Sequence, residues 1–199
     1  MKKILSYILL FCVCLPSVQA KPVEEDHWSD DYDRYFKKYT KRYFGPHFDW
    51  RWFKSQGIAE SNLNTKAKSH VGAQGIMQLM PATYEEIKQQ NPTFRGVLEP
   101  KWNIAAGIFY DRQLYRKWRK PLPSEERLFL AFSSYNAGYG RVLKAVKRTK
   151  KPDYTWVQVK AHLPKETKGY VTRIAKLMDV QKRNRTLKLR GLSSKLSGF

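Results

Sequence analysis

The stretch Ile58-Ala59-Glu60-Ser61-Asn62, followed by Val71-Gly72-Ala73-Gln74-Gly75-Ile76-Met77-Gln78-Leu79-Met80-Pro81, decides how this chain is read. Glu60 stands where an aromatic, helix-like run gives way to polar residues. The second segment has two glycines and two glutamines but no charge, a poor pattern for a core helix. Glycines let a ligand approach the backbone closely, and a carboxylate at a helix end beside such a loop is a candidate proton donor.

Phe48 to Ser61 reads as a helix. Phe48, Trp52, Ser55 and Ala59 form one stripe, and Phe53, Gly57 and Glu60 a neighbouring one. On that partly apolar face, burial would raise the pKa of Glu60. Taken alone, the pattern favours a solvent-facing glutamate. Asn62 to Gly75 has loop composition and holds no Asp or Glu.

Downstream, Thr83 is expected to cap a helix running to about Gln90, with Glu85 and Glu86 in its first turn. Pro100 to Trp118 reads as a long helix. On it Asn103, Gly107, Tyr110 and Leu114 share a stripe, so a polar group and a glycine sit among large side chains. Ser124 is expected to cap the next helix, with Gly138 at its carboxyl end. A shorter helix follows over 140–147. The last spans Glu166 to about Arg183, with Tyr170, Ile174, Leu177 and Met178 on one face. No segment alternates as a strand would, so the fold class is mainly α.

The ends differ from the middle. Residues 1–20 read as a secretory signal: Lys2 and Lys3, an apolar run from Ile4 to Leu15, and small residues at Val18-Gln19-Ala20. The apolar run is too short for a bilayer, which needs about twenty residues. Phe11 and Val13 precede the cysteines, so no lipid attachment site is expected, and both cysteines, Cys12 and Cys14, fall inside the signal. Residues 21–45 form an aromatic and acidic amino-terminal extension. In it Tyr32, Tyr35, Phe36, Tyr39 and Tyr43 recur at helical spacing, which predicts a short helix packed on the domain. Residues 46–183 form the main domain, and the basic, then Ser/Gly-rich residues 184–199 read as a frayed tail.

The formal charge is +21, and without Lys2 and Lys3 it is +19. That surplus speaks of partners rather than fold. With export, it favours electrostatic contact with an anionic wall polymer or a membrane surface over nucleic acid, and a solvated surface without a partner is the plainer alternative. His27, His47, His70 and His162 show no ligand spacing, and the mature chain has no cysteine, so no metal and no cofactor are expected. Phosphate loops and nucleophile elbows are absent. Carboxylate chemistry remains. Most glycosidases pair two carboxylates, and after Glu60 the next is Glu85.

Four motifs in order then carry a resemblance. They are Ala59-Glu60-Ser61; Gly75-Ile76-Met77-Gln78 continued by Pro81-Ala82-Thr83; Ser134-Tyr135-Asn136-Ala137-Gly138; and Glu166-Thr167-Lys168-Gly169-Tyr170-Val171. Asn103 to Tyr110 adds an Asn-Ile-x-x-Gly-x-x-Tyr helix. From Asp49 to Lys182 the chain resembles the soluble-lytic-transglycosylase family, glycoside hydrolase family 23. Within it, the chain resembles the catalytic module of the membrane-bound F type. That type usually carries an amino-terminal solute-binding-like module, and no stretch here reads as one. Ser134 stands where the family has Ala, and Lys168 where it has Arg, which removes a bidentate donor.

The resemblance implies a goose-type lysozyme-like helical domain with a substrate cleft. It implies that Glu60 protonates the oxygen between N-acetylmuramic acid and N-acetylglucosamine of peptidoglycan glycan strands. The muramic C6 hydroxyl then attacks C1, leaving a 1,6-anhydromuramoyl end, so no second carboxylate is needed. It also implies that Tyr170 positions Glu60, and that Ser61, Met77, Gln78, Tyr135 and Asn136 meet the substrate. Plain core packing is the alternative for Met77 and Tyr135. Two other functions stay open on the residues alone. One is a hydrolytic muramidase with Asp49 or Glu86 as second carboxylate. The other is a non-catalytic basic wall-binding protein.

Overall fold

The computed structural model describes residues 28–118 and 122–196. The secretory signal expected over 1–20 lies outside them. The described residues form eight α-helices: α1 (Asp33–Phe44), α2 (Arg51–Ser61), α3 (Pro81–Gln90), α4 (Pro100–Lys117), α5 (Ser124–Ala137), α6 (Tyr139–Arg148), α7 (Trp156–Ala161) and α8 (Lys165–Leu196). Among these residues there is no strand, only two isolated antiparallel bridges, Lys68 with Gln74 and Gln74 with Leu79.

The fold is built around α2. Residues 52–58 are all buried, because α1 and α8 pack against it. Gly57 lets the neighbours close in: a Cβ there would lie 3.0 Å from Ile76 Cγ2 and 3.2 Å from Phe36 Cζ. A helix enclosed this fully also buries its polar residues Lys54, Ser55 and Gln56. The Lys54 ammonium is matched by Asp33 at 2.7 Å and Asp30 at 3.0 Å. A buried cation demands such partners, and this pairing gives Asp30 and Asp33 of the extension a structural role. Phe36 and Tyr39 of α1 are core residues, and Phe44 packs on Phe53 at 4.8 Å.

Helix α4 crosses α1, α3 and α5, and α8 lies over α2 and α5 through Val171, Ile174, Leu177 and Met178. Several boundaries differ from expectation. Helix α3 begins at Pro81, which suits a first turn because it has no N–H to satisfy. Thr83 is therefore inside the helix and caps nothing. Ser124 is likewise the first helical residue rather than the cap, and its hydroxyl lies 3.2 Å from that of Tyr115. Helix α7 has no counterpart in the sequence reading, although its capping box, Thr155 with Gln158, was there to see. Helix α8 does not end near Arg183: the backbone read as a frayed tail is helical as far as Leu196. Arg, Lys and Leu are good helix formers, and a single Gly191, at about 1 kcal/mol, does not stop the run.

Candidate active site

Helix α2 ends at Ser61 because Asn62 and Leu63 both take left-handed backbone, φ 54° and 62°. Asn tolerates that conformation well, and its N–H closes the helix on the Ile58 carbonyl at 2.9 Å. Glu60 thus stands one residue before the chain turns away, at the rim of the core. The Ser61 hydroxyl donates to the Ile76 carbonyl at 2.9 Å, which fastens the end of α2 to the glycine-rich turn.

That turn is held from below by α4. Asn103, almost fully buried, accepts from the Met77 N–H at 2.7 Å and donates to the carbonyls of Gln74 (3.0 Å) and Val97 (2.8 Å). Gly75 has φ 75°, and a Cβ there would strike the Asn103 side chain at 2.5 Å, so both the conformation and the approach require glycine. One turn further along α4, Gly107 leaves room for Met77, whose Cγ would be 2.7 Å from an added Cβ. Tyr110 then packs its ring on Tyr135 of α5 at 5.3 Å, and the Tyr135 hydroxyl donates to the Met77 carbonyl at 2.7 Å. The Gln78 amide donates to the carbonyls of Gly75 (2.9 Å) and Ala67 (3.3 Å).

Helix α8 completes the site. The Tyr170 hydroxyl donates to Glu60 Oε1 at 2.5 Å. One turn on, Arg173 donates to the Asn62 side chain at 3.1 Å. At the start of α8 the Thr167 hydroxyl donates to the Asn136 side-chain oxygen at 2.8 Å, tying α8 to the end of α5.

Part of the Glu60 side chain reaches solvent, but protein atoms crowd its carboxyl. Burial raises its pKa to about 7, against the smaller opposing pull of the Tyr170 hydrogen bond and the Arg173 charge. Near neutral pH the acid and the carboxylate are therefore both well populated, which suits a group that must give a proton and take one back. Burial first, and the Glu60 charge second, push the Tyr170 hydroxyl well above its ordinary range, so it stays a donor.

Of the residues singled out in the sequence, Glu60 and Tyr170 meet directly. Ser61, Gln78, Tyr135 and Asn136 are partly exposed around them. Met77, expected either to meet substrate or to pack in the core, has its side chain fully buried against Gly107, where it props the turn from beneath. Asn103, Thr167 and Arg173 were not named as site residues. A lone polar residue on the apolar stripe of α4 was the available signal for Asn103, and its spacing of three from Tyr170 was the signal for Arg173. The suggested second carboxylates lie elsewhere: Asp49 is held bidentately by Arg51, and Glu86 is exposed on α3.

Residues 35–157 match the family model "Transglycosylase SLT domain", well over half of the chain. The chain belongs to this family. Membrane-bound lytic murein transglycosylase F of Vibrio vulnificus (strain YJ016) is 32% identical over 125 residues, 61% of this chain and 22% of the relative. The same-named protein of Yersinia enterocolitica is 35% identical over 120 residues, 58% of this chain and 24% of the relative. The 70 kDa soluble lytic transglycosylase SLT70 of Escherichia coli matches in structure with a TM-score of 0.65 and 25% identity, over 81% of this chain and 25% of that one. The chain thus spans about a quarter or less of the length of these relatives. The mainly helical, lysozyme-like fold expected from the motifs is the fold found. Tyr170 lies past residue 157, so its place beside Glu60 stands on geometry.

Proposed function

We propose that this SLT domain is a peptidoglycan lytic transglycosylase whose proton carrier is Glu60. The observation that carries the reading is the Tyr170–Glu60 hydrogen bond at the rim of α2, around a carboxyl whose pKa lies near 7. The protonated Glu60 gives its proton to the glycosidic oxygen between N-acetylmuramic acid and N-acetylglucosamine. As that bond breaks, the muramic C6 oxygen bonds to C1 and its proton passes to the Glu60 carboxylate, which regenerates the acid. The product carries a 1,6-anhydromuramoyl end. Because the nucleophile belongs to the substrate, its effective concentration at C1 replaces a carboxylate-activated water. Tyr170 holds the carboxyl in line. Ser61, Gln78, Tyr135 and Asn136 border the sugar site, with Met77 supporting it from below.

The relatives' names, lytic murein transglycosylase, support this reading. Export to the cell envelope accords with the basic and apolar start of the sequence. Among the described residues no helix is long and apolar enough to cross a membrane. The charge of +21 suits attachment to an anionic wall polymer or membrane surface, an attraction that weakens with salt. Mass spectrometry of material released from purified sacculi tests the reaction. Anhydromuropeptides are expected from the wild type and none from Glu60→Gln. Reducing muramic ends, heavier by one water, would mean hydrolysis instead.

A further inference from the structure

A second carboxyl lies behind Glu60. Asp111, on α4, has no exposed surface, and among the described residues no cation lies within ion-pair distance of it. Its one partner among the described residues is Gln56, also without exposure, whose side-chain nitrogen is 3.4 Å from Asp111 Oδ1. Gln56 and Glu60 are four residues apart on α2, hence neighbours on one helix face. The remaining atoms of the pair, Asp111 Oδ2 and Gln56 Oε1, are both buried and find no partner among the described residues. An ionised Asp111 would leave these two acceptors facing nothing. A protonated Asp111 supplies one O–H donor, the complement of one unpaired amide oxygen, and a small closure of the pair satisfies both.

We infer that Asp111 is a positioning residue for Glu60, acting as an uncharged acid that clamps Gln56 and so fixes the α2 face on which Glu60 stands. This rests on the reading of Glu60 as the proton carrier. The surroundings require Asp111 to be uncharged. Glu60 faces it from α2, Tyr135 from α5 and Tyr170 from α8, with Tyr110 beside it on α4. Nearby, α3 brings Glu86 toward Tyr110, and α1 packs Tyr43 on Phe109. All these groups are neutral or anionic. Desolvation raises the Asp111 pKa well above its ordinary value; the Gln56 hydrogen bond pulls the other way, and the Glu60 charge adds a smaller push upward. Ionising Asp111 would drive Glu60 further toward its protonated form and deprive the second half of the reaction of its base.

The test uses the full chain, with carbon-detected carboxyl NMR titrations beside turnover of soluble glycan strands across pH. In the wild type, Asp111 stays protonated while Glu60 titrates. Asp111→Asn keeps an uncharged amide-to-amide pair, so it holds the Glu60 midpoint within about half a unit and turnover within roughly three-fold. Asp111→Leu strands the Gln56 amide, moves that midpoint further and lowers kcat by about ten-fold or more. The inference is overturned if wild-type Asp111 ionises in the ordinary carboxylate range. Loss of activity in Asp111→Asn overturns it, as does an Asp111→Leu protein with unmoved midpoint and kcat. Should Asp111→Leu not fold, the wild-type titration and Asp111→Asn decide. Failure of the lyase reading would appear separately, as wild-type protein releasing no anhydro ends while the titrations are unaffected.

Discussion

Glu60→Gln tests the physical state of the site as well as its chemistry. The folded pKa of about 7 stands above the reference value of 4.5. Between these values the folded chain binds a proton that the unfolded chain has released, so stability falls as pH rises from about 4.5 to about 7 and is flat above. The glutamine is neutral at every pH and lacks this term. Integrating the two titrations, the penalty from Glu60 is roughly 1 kcal/mol at pH 5 and roughly 3 kcal/mol at pH 8. The stability of Glu60→Gln relative to wild type should therefore rise by roughly 2–3 kcal/mol between those pH values. For a chain of this size that is roughly 5–10 °C in Tm. Thermal melts of both proteins in matched buffers at pH 5 and pH 8 read the effect directly. A Glu60→Gln protein whose melting temperature tracks the wild type in parallel across that range would refute a buried acid of raised pKa, whatever its activity. Turnover of soluble glycan strands adds the kinetic counterpart. The wild-type rate should fall as pH rises through about 7, where the acid form disappears.

Four further substitutions probe the supports. Tyr170→Phe removes a hydrogen bond that holds the Glu60 pKa down, so the high-pH limb should move upward while kcat drops roughly ten- to hundred-fold from lost alignment; pH–rate profiles measure both. Asn103→Ala strands the Met77 N–H and two carbonyls, at about 2–4 kcal/mol by urea unfolding. Gly107→Ala drives a methyl into Met77 and should destabilise by about 1–3 kcal/mol, partly recovered by adding Met77→Ala. Lys54→Met leaves Asp33 without its buried cation and should lose about 3–5 kcal/mol, with Asp33→Asn restoring much of it in the same melts.

Much of the frame was legible because it depends on local periodicity. The apolar repeats of α4, α5 and α8 are strong enough that each helix could be placed to within a few residues, except where propensity alone continues it, as in α8 beyond Arg183. Caps were less legible. Thr83 and Ser124 have the right chemistry at the wrong register, because Pro81 and the extended Pro123 begin their helices first. Glu60 and Tyr170 were paired only through the motif resemblance: 110 positions separate them, and no local pattern reports such a contact.

The residues not named as site candidates share one physical feature. Asn103, Asp111, Gln56 and Thr167 are buried polar groups in helices whose apolar period masks them. A periodicity argument treats such a residue as a fault in the stripe. Yet a buried polar group must find a partner, and a helix has already used its own backbone groups, so the partner comes from another element. Asn103 therefore implies a loop that needs three hydrogen bonds, and Gln56 implies an acid or amide on the helix facing α2. Lys54 makes the same point from the side of charge: its burial predicts two acids, and Asp30, just before α1, and Asp33, at its first residue, supply them. Counting the polar exceptions within an apolar stripe thus locates the contacts that hold Glu60 in place, where counting the apolar residues locates only the helices.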